Sequence, residues 1–228
     1  MLVAEAGEPV CFTCEMADHP YLVDTAPGGI LRFLFTRPTD VVGRRAIFLD
    51  RDGVINQRRL GGYVSDLSQF RFLSGATEGL IELSSFPGPI IVISNQAGVG
   101  KGLIQASALE EITVGFVGAI THFGGRIDGV YYCPHEPAAG CACRKPRPGL
   151  LLQARQDWRI EMGLSVFFGD AMTDVDAGIA AGCRTVLVRS LDRPIAEPEL
   201  PTTTRVIENL EAAVATVAQL SGERLRSL

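Results

Sequence analysis

The sequence predicts an α/β fold: a Rossmann-like three-layer α/β/α sandwich around a mainly parallel sheet, with no large cap domain. Three observations predict it. Short apolar runs recur along the chain and each stops at a polar residue. Stretches of helical character separate these runs, the alternation that builds a parallel sheet covered on both faces. The chain has 228 residues, 46% of them hydrophobic. That is enough for a sizeable core and too apolar for a disordered chain.

Ala46–Leu49 is an apolar run ending at Asp50 and reads as a buried parallel strand. Residues 75–86 read as a helix, and Pro89 to Ser94 as a second buried strand. Residues 105–122 read as a long helix, weakened by Gly115 and Gly118. Ile127 to Cys133 is a third strand, followed by a loop over 134–147 rich in Pro, Cys and basic residues. Pro148 suits the first position of a helix running to about Ile160. Ser165 to Phe168 is a fourth strand; Thr173 is placed to cap the next helix and Gly182 to end it. Thr185 to Arg189 is a fifth strand, and 208–220 a last helix.

Residues 1–43 stand apart. Six acids (Glu5, Glu8, Glu15, Asp18, Asp24, Asp40) face two bases (Arg32, Arg37), a net of −4, so the rest of the chain carries only −1 of the total −5. Pro and Gly are scattered through the segment, and only Ile30 to Phe35 suggests a strand. It reads as an N-terminal appendage of uncertain order, with the globular domain over 44–228. The mild acidity argues against nucleic acid as a partner. No apolar stretch is long enough to cross a membrane. The opening MLVAEAGEPVCF lacks the basic start and apolar stretch of a signal peptide, so a cytoplasmic location is expected.

In a doubly wound sheet, ligands bind outside the carboxyl ends of the strands. After the first strand come Asp50-Arg51-Asp52-Gly53, after the second Ser94-Asn95-Gln96, and after the fourth Gly169-Asp170, with Asp174 four residues on. Singly, each acid would pass as a turn or cap residue. Together they form a carboxylate cluster that repels itself unless a cation neutralises it. Mg²⁺ takes oxygen ligands and keeps room for waters and phosphate. Asp50 and Asp52 are spaced so that one carboxylate can attack phosphorus while the other transfers protons. Ser94 is placed to hold phosphoryl oxygens, and Arg144 and Lys145 to neutralise developing charge.

Cys133-x-His135 and Cys141-x-Cys143 form two pairs across a short turn. Three sulfurs and one imidazole make a closed tetrahedral set, the composition of a structural Zn²⁺ site, with no position left for an activated water. The bound loop would fix Arg144 and Lys145, which follow at once. A disulfide is the competing reading, disfavoured by the expected compartment. Cys11-x-x-Cys14 with His19 is a weaker metal motif. Cys183 and Trp158 read as packing residues, and His122 as structural or exposed.

Asp50-Arg51-Asp52-Gly53-Val54-Ile55 resembles the DxDG[TV] signature of the haloacid dehalogenase superfamily of phosphatases. Ser94, Lys145 and the Asp170/Asp174 pair resemble its remaining motifs, in order, over about residues 44–220. The set DRDGVIN, Gly62-Tyr63-Val64, SNQAG, Cys133-Pro134-His135 and Cys141-Ala142-Cys143-Arg144-Lys145-Pro146 is similar to its D-glycero-D-manno-heptose 1,7-bisphosphate phosphatase branch. The resemblance implies a Mg²⁺-dependent hydrolase of a phosphorylated sugar, working through an aspartyl phosphate. It implies Asp50 as nucleophile and Asp52 as acid/base. Mg²⁺ would sit on Asp50, Asp170 and the Asp52 backbone carbonyl, with Ser94 and Lys145 stabilising the phosphoryl group. Substrate contacts are implied for Gly62, Tyr63, Val64, Ser65, Asn95, Gln96, Ala97 and Arg144.

Ser94 stands where the family often has Thr, and Ala171 where it often has Lys. The stretch between Asn56 and Gly62 is long and basic: Arg58, Arg59 and Lys101 could reach a second phosphate, or form a solvated surface, which the charge run alone favours. Two alternatives stay open. Histidinol phosphate is the competing substrate within the class, although Gly61 to Val64 and Ala97 suit the heptose branch better. A catalytically inactive, zinc-stabilised binding module is the competing class, opposed by the intact Asp50 and Asp52. A monomer accommodates either reading.

Overall fold

The structure, a computed structural model of the chain, describes residues 2–3, 9–10, 22–41, 44–59, 61–189, 200–202 and 204–221. Strands β1 (Leu2–Val3) and β2 (Pro9–Val10) form a small antiparallel pair. Among the described residues all other strands join one sheet: β3 (Leu22–Ala26), β4 (Ile30–Leu34), β5 (Ile47–Leu49), β6 (Ile90–Asn95), β7 (Gly129–Cys133), β8 (Val166–Gly169), β9 (Arg184–Val188) and β10 (Thr204–Ile207). The helices are α1 (Ala76–Leu83), α2 (Ala97–Gly100), α3 (Ala106–His122), α4 (Gly149–Trp158), α5 (Met172–Ala181) and α6 (Ala213–Ser221).

The sheet order is β10-β9-β8-β5-β6-β7-β4-β3. It is parallel from β10 to β7, and β4 and β3 are antiparallel additions. From β5 the chain winds outward through β6 and β7, then returns to β8 on the other side. The strand order therefore reverses between β5 and β8, and the crevice at that switch point is where such sheets bind ligands.

Alternation across the central strands makes two cores. Ile47, Leu49, Ile90, Val92 and Phe168 face Leu80, Phe116 and Val217 of α1, α3 and α6. Phe48, Ile91, Ile93 and Phe167 face Leu150, Ala154 and Ala177 of α4 and α5. The three layers expected from the sequence are present. Gly115 does not break α3; a Cβ there would meet the Leu67 side chain at 2.6 Å, so its absence admits a neighbour. Gly182 ends α5 in the left-handed region, φ 83°. Thr173 is not the cap of that helix: Ala171 holds the N-cap position, and its N–H donates to the Asp174 carboxylate at 3.0 Å.

Residues 22–41 differ most from expectation. The strand suggested at Ile30 exists, but it pairs with β7 and brings β3 with it. Residues 22–34 thus extend the main sheet. Phe33 is buried in the first core, edge-on to Tyr132 with ring centroids 5.8 Å apart. Thr36 donates its hydroxyl to buried Asp128 at 2.8 Å. Arg32 joins Asp24 and Asp157, and Asp157 also accepts from the Tyr131 hydroxyl at 2.8 Å. Cys11, Cys14 and His19 lie outside the described residues.

Cys183 and Trp158 are buried, as expected, and Trp158 Nε1 donates to the Tyr131 hydroxyl at 2.9 Å. His122 is exposed and packs edge-on against Phe123. Among the described residues no helix is long and apolar enough to cross a membrane.

If the β3–β4 hairpin belongs to the domain's cooperative unit, Phe33→Ala lowers global stability by about 3–5 kcal/mol. Urea unfolding followed by the fluorescence of Trp158, the chain's one tryptophan, measures this. An unchanged main transition would make the hairpin a true appendage.

Candidate active site

Asp50 follows β5 and Asp170 follows β8, so the two strands flanking the switch point each deliver a carboxylate to the crevice. The Asp50 N–H donates to the Phe168 carbonyl at 2.8 Å, which carries the parallel pairing one step past Leu49. Beyond Asp50 the chain turns tightly: the N–H groups of Val54, Ile55 and Asn56 all point at the Arg51 carbonyl. Gly53 makes the turn possible, at φ 96°. A Cβ there would lie 1.9 Å from an Asp170 oxygen.

The carboxylates of Asp50, Asp170 and Asp174 converge, each offering an oxygen within 4.8 Å of the others. The Lys145 ammonium lies among them, 2.9 Å from Asp50 Oδ1 and 2.6 Å from Asp174 Oδ1, and it donates to the Ile93 carbonyl at 2.9 Å. Burial opposes the Lys145 charge, but Asp174 and Asp50 outweigh it and hold its pKa above the usual lysine value. Asp50 is pushed up to about 7, first by burial and then by Asp174 and Asp170, with Lys145 and Arg58 pulling the other way. Asp170 is also raised by burial, against the pull of Arg58. One buried Asp170 oxygen, Oδ2, has no hydrogen-bond partner. Crowded carboxylates with a spare oxygen fit a hard divalent cation.

Asp52 sits in different surroundings. Both of its oxygens accept from Arg51 Nη2, at 3.0 and 2.9 Å; Asn56 Nδ2 donates at 2.9 Å and Gln96 Nε2 at 2.7 Å. Burial works against its ionisation, but Arg51 and the two amides win, and the carboxyl is held below the usual range. Arg51 is fully buried, with its guanidinium 5.6 Å from the centre of the Tyr132 ring.

The crevice is a cleft of about 680 Å³. Of the expected residues, Asp50, Asp52, Gly62, Tyr63, Val64, Ser94, Asn95, Arg144, Lys145 and Asp170 line it. Ser65, Gln96 and Ala97 do not. Ser65 turns toward Gln69, and Ala97 is buried at the start of α2. The Gln96 amide is committed to Asp52 and to Ser94 Oγ, at 3.1 Å. In the chain without ligand it therefore supports the acid. Arg58 and Arg59 do reach the cleft, whereas Lys101 stays exposed beside the Tyr63 ring. Sequence reasoning passed over Arg51, Asn56 and Met172. For the first two the signal was available: Arg51 lies between the two acids, and Asn56 follows Asp52 by four in a tight turn.

The zinc-type quartet is assembled. Cys143 Sγ is 3.3 Å from Cys133 Sγ and 3.4 Å from Cys141 Sγ, and His135 Nδ1 is 3.2 Å from Cys143 Sγ. These separations are far beyond a disulfide bond, and all three cysteines are free. Convergent soft donors of this composition fit Zn²⁺. The loop is tied to β6 next door: Asn95 donates to the Lys145 carbonyl and accepts from the Lys145 N–H, both at 3.1 Å.

Comparison with known proteins agrees with this architecture. The HAD-hydrolase-like family model matches residues 142–213. The D-glycero-beta-D-manno-heptose-1,7-bisphosphate 7-phosphatase of Photorhabdus laumondii is 37% identical over 156 residues, 65% of this chain and 82% of that protein. Its counterpart in Escherichia coli K12 is 36% identical over 157 residues, 66% and 81%. Among solved structures, the D,D-heptose 1,7-bisphosphate phosphatase from B. bronchiseptica, complexed with magnesium and phosphate, superposes with a TM-score of 0.72. It is 32% identical, and the match covers 77% of this chain and 98% of that one. With relatives of this identity and coverage, and with that fold's strand ends carrying the acids, the chain belongs to the haloacid-dehalogenase-like hydrolases, among the heptose-bisphosphate phosphatases.

Proposed function

We propose that the chain hydrolyses the 7-phosphate of D-glycero-β-D-manno-heptose 1,7-bisphosphate, with Asp50 as nucleophile and Asp52 as acid/base. One observation carries the reading: two neighbouring carboxylates in opposite environments open into one cleft, where four cationic side chains offset four acids. Asp50 lies against the Lys145 ammonium at the switch point, while Asp52 is clamped by Arg51, Asn56 and Gln96. Arg58, Arg59 and Arg144 line the same cleft, as a substrate with two phosphates requires. The relatives' names supply the heptose and the scissile position.

An Asp50 oxygen attacks phosphorus and the bond to the sugar oxygen breaks. The Asp52 carboxyl gives that oxygen its proton, and Asp50 becomes an aspartyl phosphate. Asp52, now a carboxylate, takes a proton from water, which attacks the same phosphorus and returns Asp50 with inorganic phosphate released. The negative charge of the bound phosphate favours the protonated Asp52 needed at the outset. Lys145 and Ser94 hold phosphoryl oxygens. Mg²⁺ would be held by Asp50, Asp170 and the Asp52 main-chain carbonyl, and when bound it neutralises charge on those oxygens. Cys133, His135, Cys141 and Cys143 would hold a structural Zn²⁺ that keeps Arg144 and Lys145 in place. Free thiols in such a site suit a reducing cytoplasm.

Phosphate release from the heptose bisphosphate should exceed that from histidinol phosphate by about 10⁴-fold in kcat/KM, the discrimination achieved by a site that hydrogen-bonds its substrate's polar groups. Faster turnover of histidinol phosphate would reverse the assignment. Asp50→Asn should lower kcat by at least ~1000-fold while the circular dichroism stays that of the parent; activity within tenfold of the parent sinks the nucleophile. Metal analysis should return about one zinc per chain, and Cys143→Ser should lose it together with thermal stability. A fully folded, active preparation without zinc would contradict the cysteine assignment.

A further inference from the structure

Arg58 lies on the irregular stretch 57–59, whose residues are exposed. Its side chain nonetheless reaches inward across Gly53, where a Cβ would come within 2.7 Å of Arg58 Nε. Its Nη2 is paired closely with Asp170 Oδ1 and lies 3.9 Å from Asp50 Oδ2. These are the two side chains assigned to the divalent cation. Lys145, by contrast, is buried and holds the inner faces of Asp50 and Asp174. The cluster therefore has a fixed cation inside and a half-exposed one, with a side-chain exposure of 39%, outside.

We propose that Arg58 is a tethered counter-ion that holds Asp50 and Asp170 in the metal-free chain, gives way to the divalent cation, and is thereby released to bind phosphate in the cleft. The inference rests on the cation reading of the Asp50–Asp170 pair. Charge bookkeeping supports it. Three carboxylates with Lys145 and Arg58 carry a formal −1; with a divalent ion in place of Arg58 they are neutral. An arginine left over beside a neutral cluster is a ready partner for an anion, and its planar fork suits phosphate. The exchange costs no regular structure, since Arg58 lies outside every helix and strand. Cation and phosphate binding are then coupled: the first removes the competitor and the second receives it.

The test compares Mg²⁺ binding to the zinc-replete, magnesium-free full chain with that of Arg58→Gln by calorimetry. If the competing pair is populated about 10:1, its removal tightens apparent Mg²⁺ affinity about tenfold. Arg58→Gln should also melt at a lower temperature than the parent without Mg²⁺ and recover with it. With Mg²⁺ saturating, it should bind inorganic phosphate several-fold more weakly. Arg58→Lys, which keeps the charge, should fall between the two in Mg²⁺ affinity and in phosphate affinity. Equal or weaker Mg²⁺ affinity in Arg58→Gln overturns the competition, and equal phosphate affinity overturns the release. If neither parent nor variant binds Mg²⁺, the cation reading fails and the inference with it.

Discussion

The ammonium of Lys145 is the contact on which the rest of the site depends. A buried lysine is tolerated only with its charge met on several sides. Here Asp50 comes from the end of β5, Asp174 from the first turn of α5, and the Ile93 carbonyl from β6. One atom thus ties together three elements that are distant in sequence, and the loop after the cysteine quartet supplies it. Removing that charge would leave two buried carboxylates facing each other, which is costlier than any single lost hydrogen bond. The cluster accordingly has a built-in electrostatic minimum, and its spare capacity, the unpartnered Asp170 oxygen and the raised Asp50, faces the cleft.

The division of labour between the two acids follows from the same geometry. Asp50 and Asp52 are two residues apart, and in a regular strand both side chains would point the same way. The turn at Gly53 separates them. Asp50 is left with Lys145 and the carboxylates, whereas Asp52 is turned toward Arg51, Asn56 and Gln96. Burial pushes both toward the neutral form, and the balance of neighbours decides the outcome in opposite directions. These directions belong to the chain without ligands: the proposed roles need an ionised Asp50, which a divalent cation on it favours, and a protonated Asp52, which the charge of a bound phosphate favours.

Much of this was legible in the sequence, and the rest was hidden for physical reasons. The strands buried on both faces write themselves as apolar runs, and the polar residues at their ends locate the crevice. β10 escaped because it is an edge strand with half-exposed residues, Thr204–Ile207, and so has no apolar run. The run at Ile30 disclosed β4, but β3 was obscured by the acidic composition around it, although Pro27-Gly28-Gly29 between Ala26 and Ile30 is a hairpin signal: both glycines have positive φ. The resemblance implies a substrate contact for Gln96, and the sequence could not disclose that its amide donates to Asp52, because the direction of a side chain after a strand end depends on which buried polar group needs a donor. Arg58 could not be placed from a charge run. Its position depends on Asp170, 112 residues later.

The hairpin alters what the site's boundary is. β4 pairs with β7, and β7 ends in Cys133, the first residue of the cysteine–histidine quartet. The hairpin's turn rests on the same loop: a Cβ on Gly29 would stand 3.1 Å from His135 Nε2, the nitrogen opposite the one facing the thiols. Arg32 then reaches Asp157 of α4, the helix that follows Lys145 and Pro146. The loop carrying Arg144 and Lys145 is therefore braced by β6 through Asn95, by the quartet within itself, and by the hairpin at its far side. A group that must sit within hydrogen-bond distance of two buried carboxylates gains its precision from such supports. The acidic N-terminal segment, which looked separable from the chemistry, supplies the outermost of them.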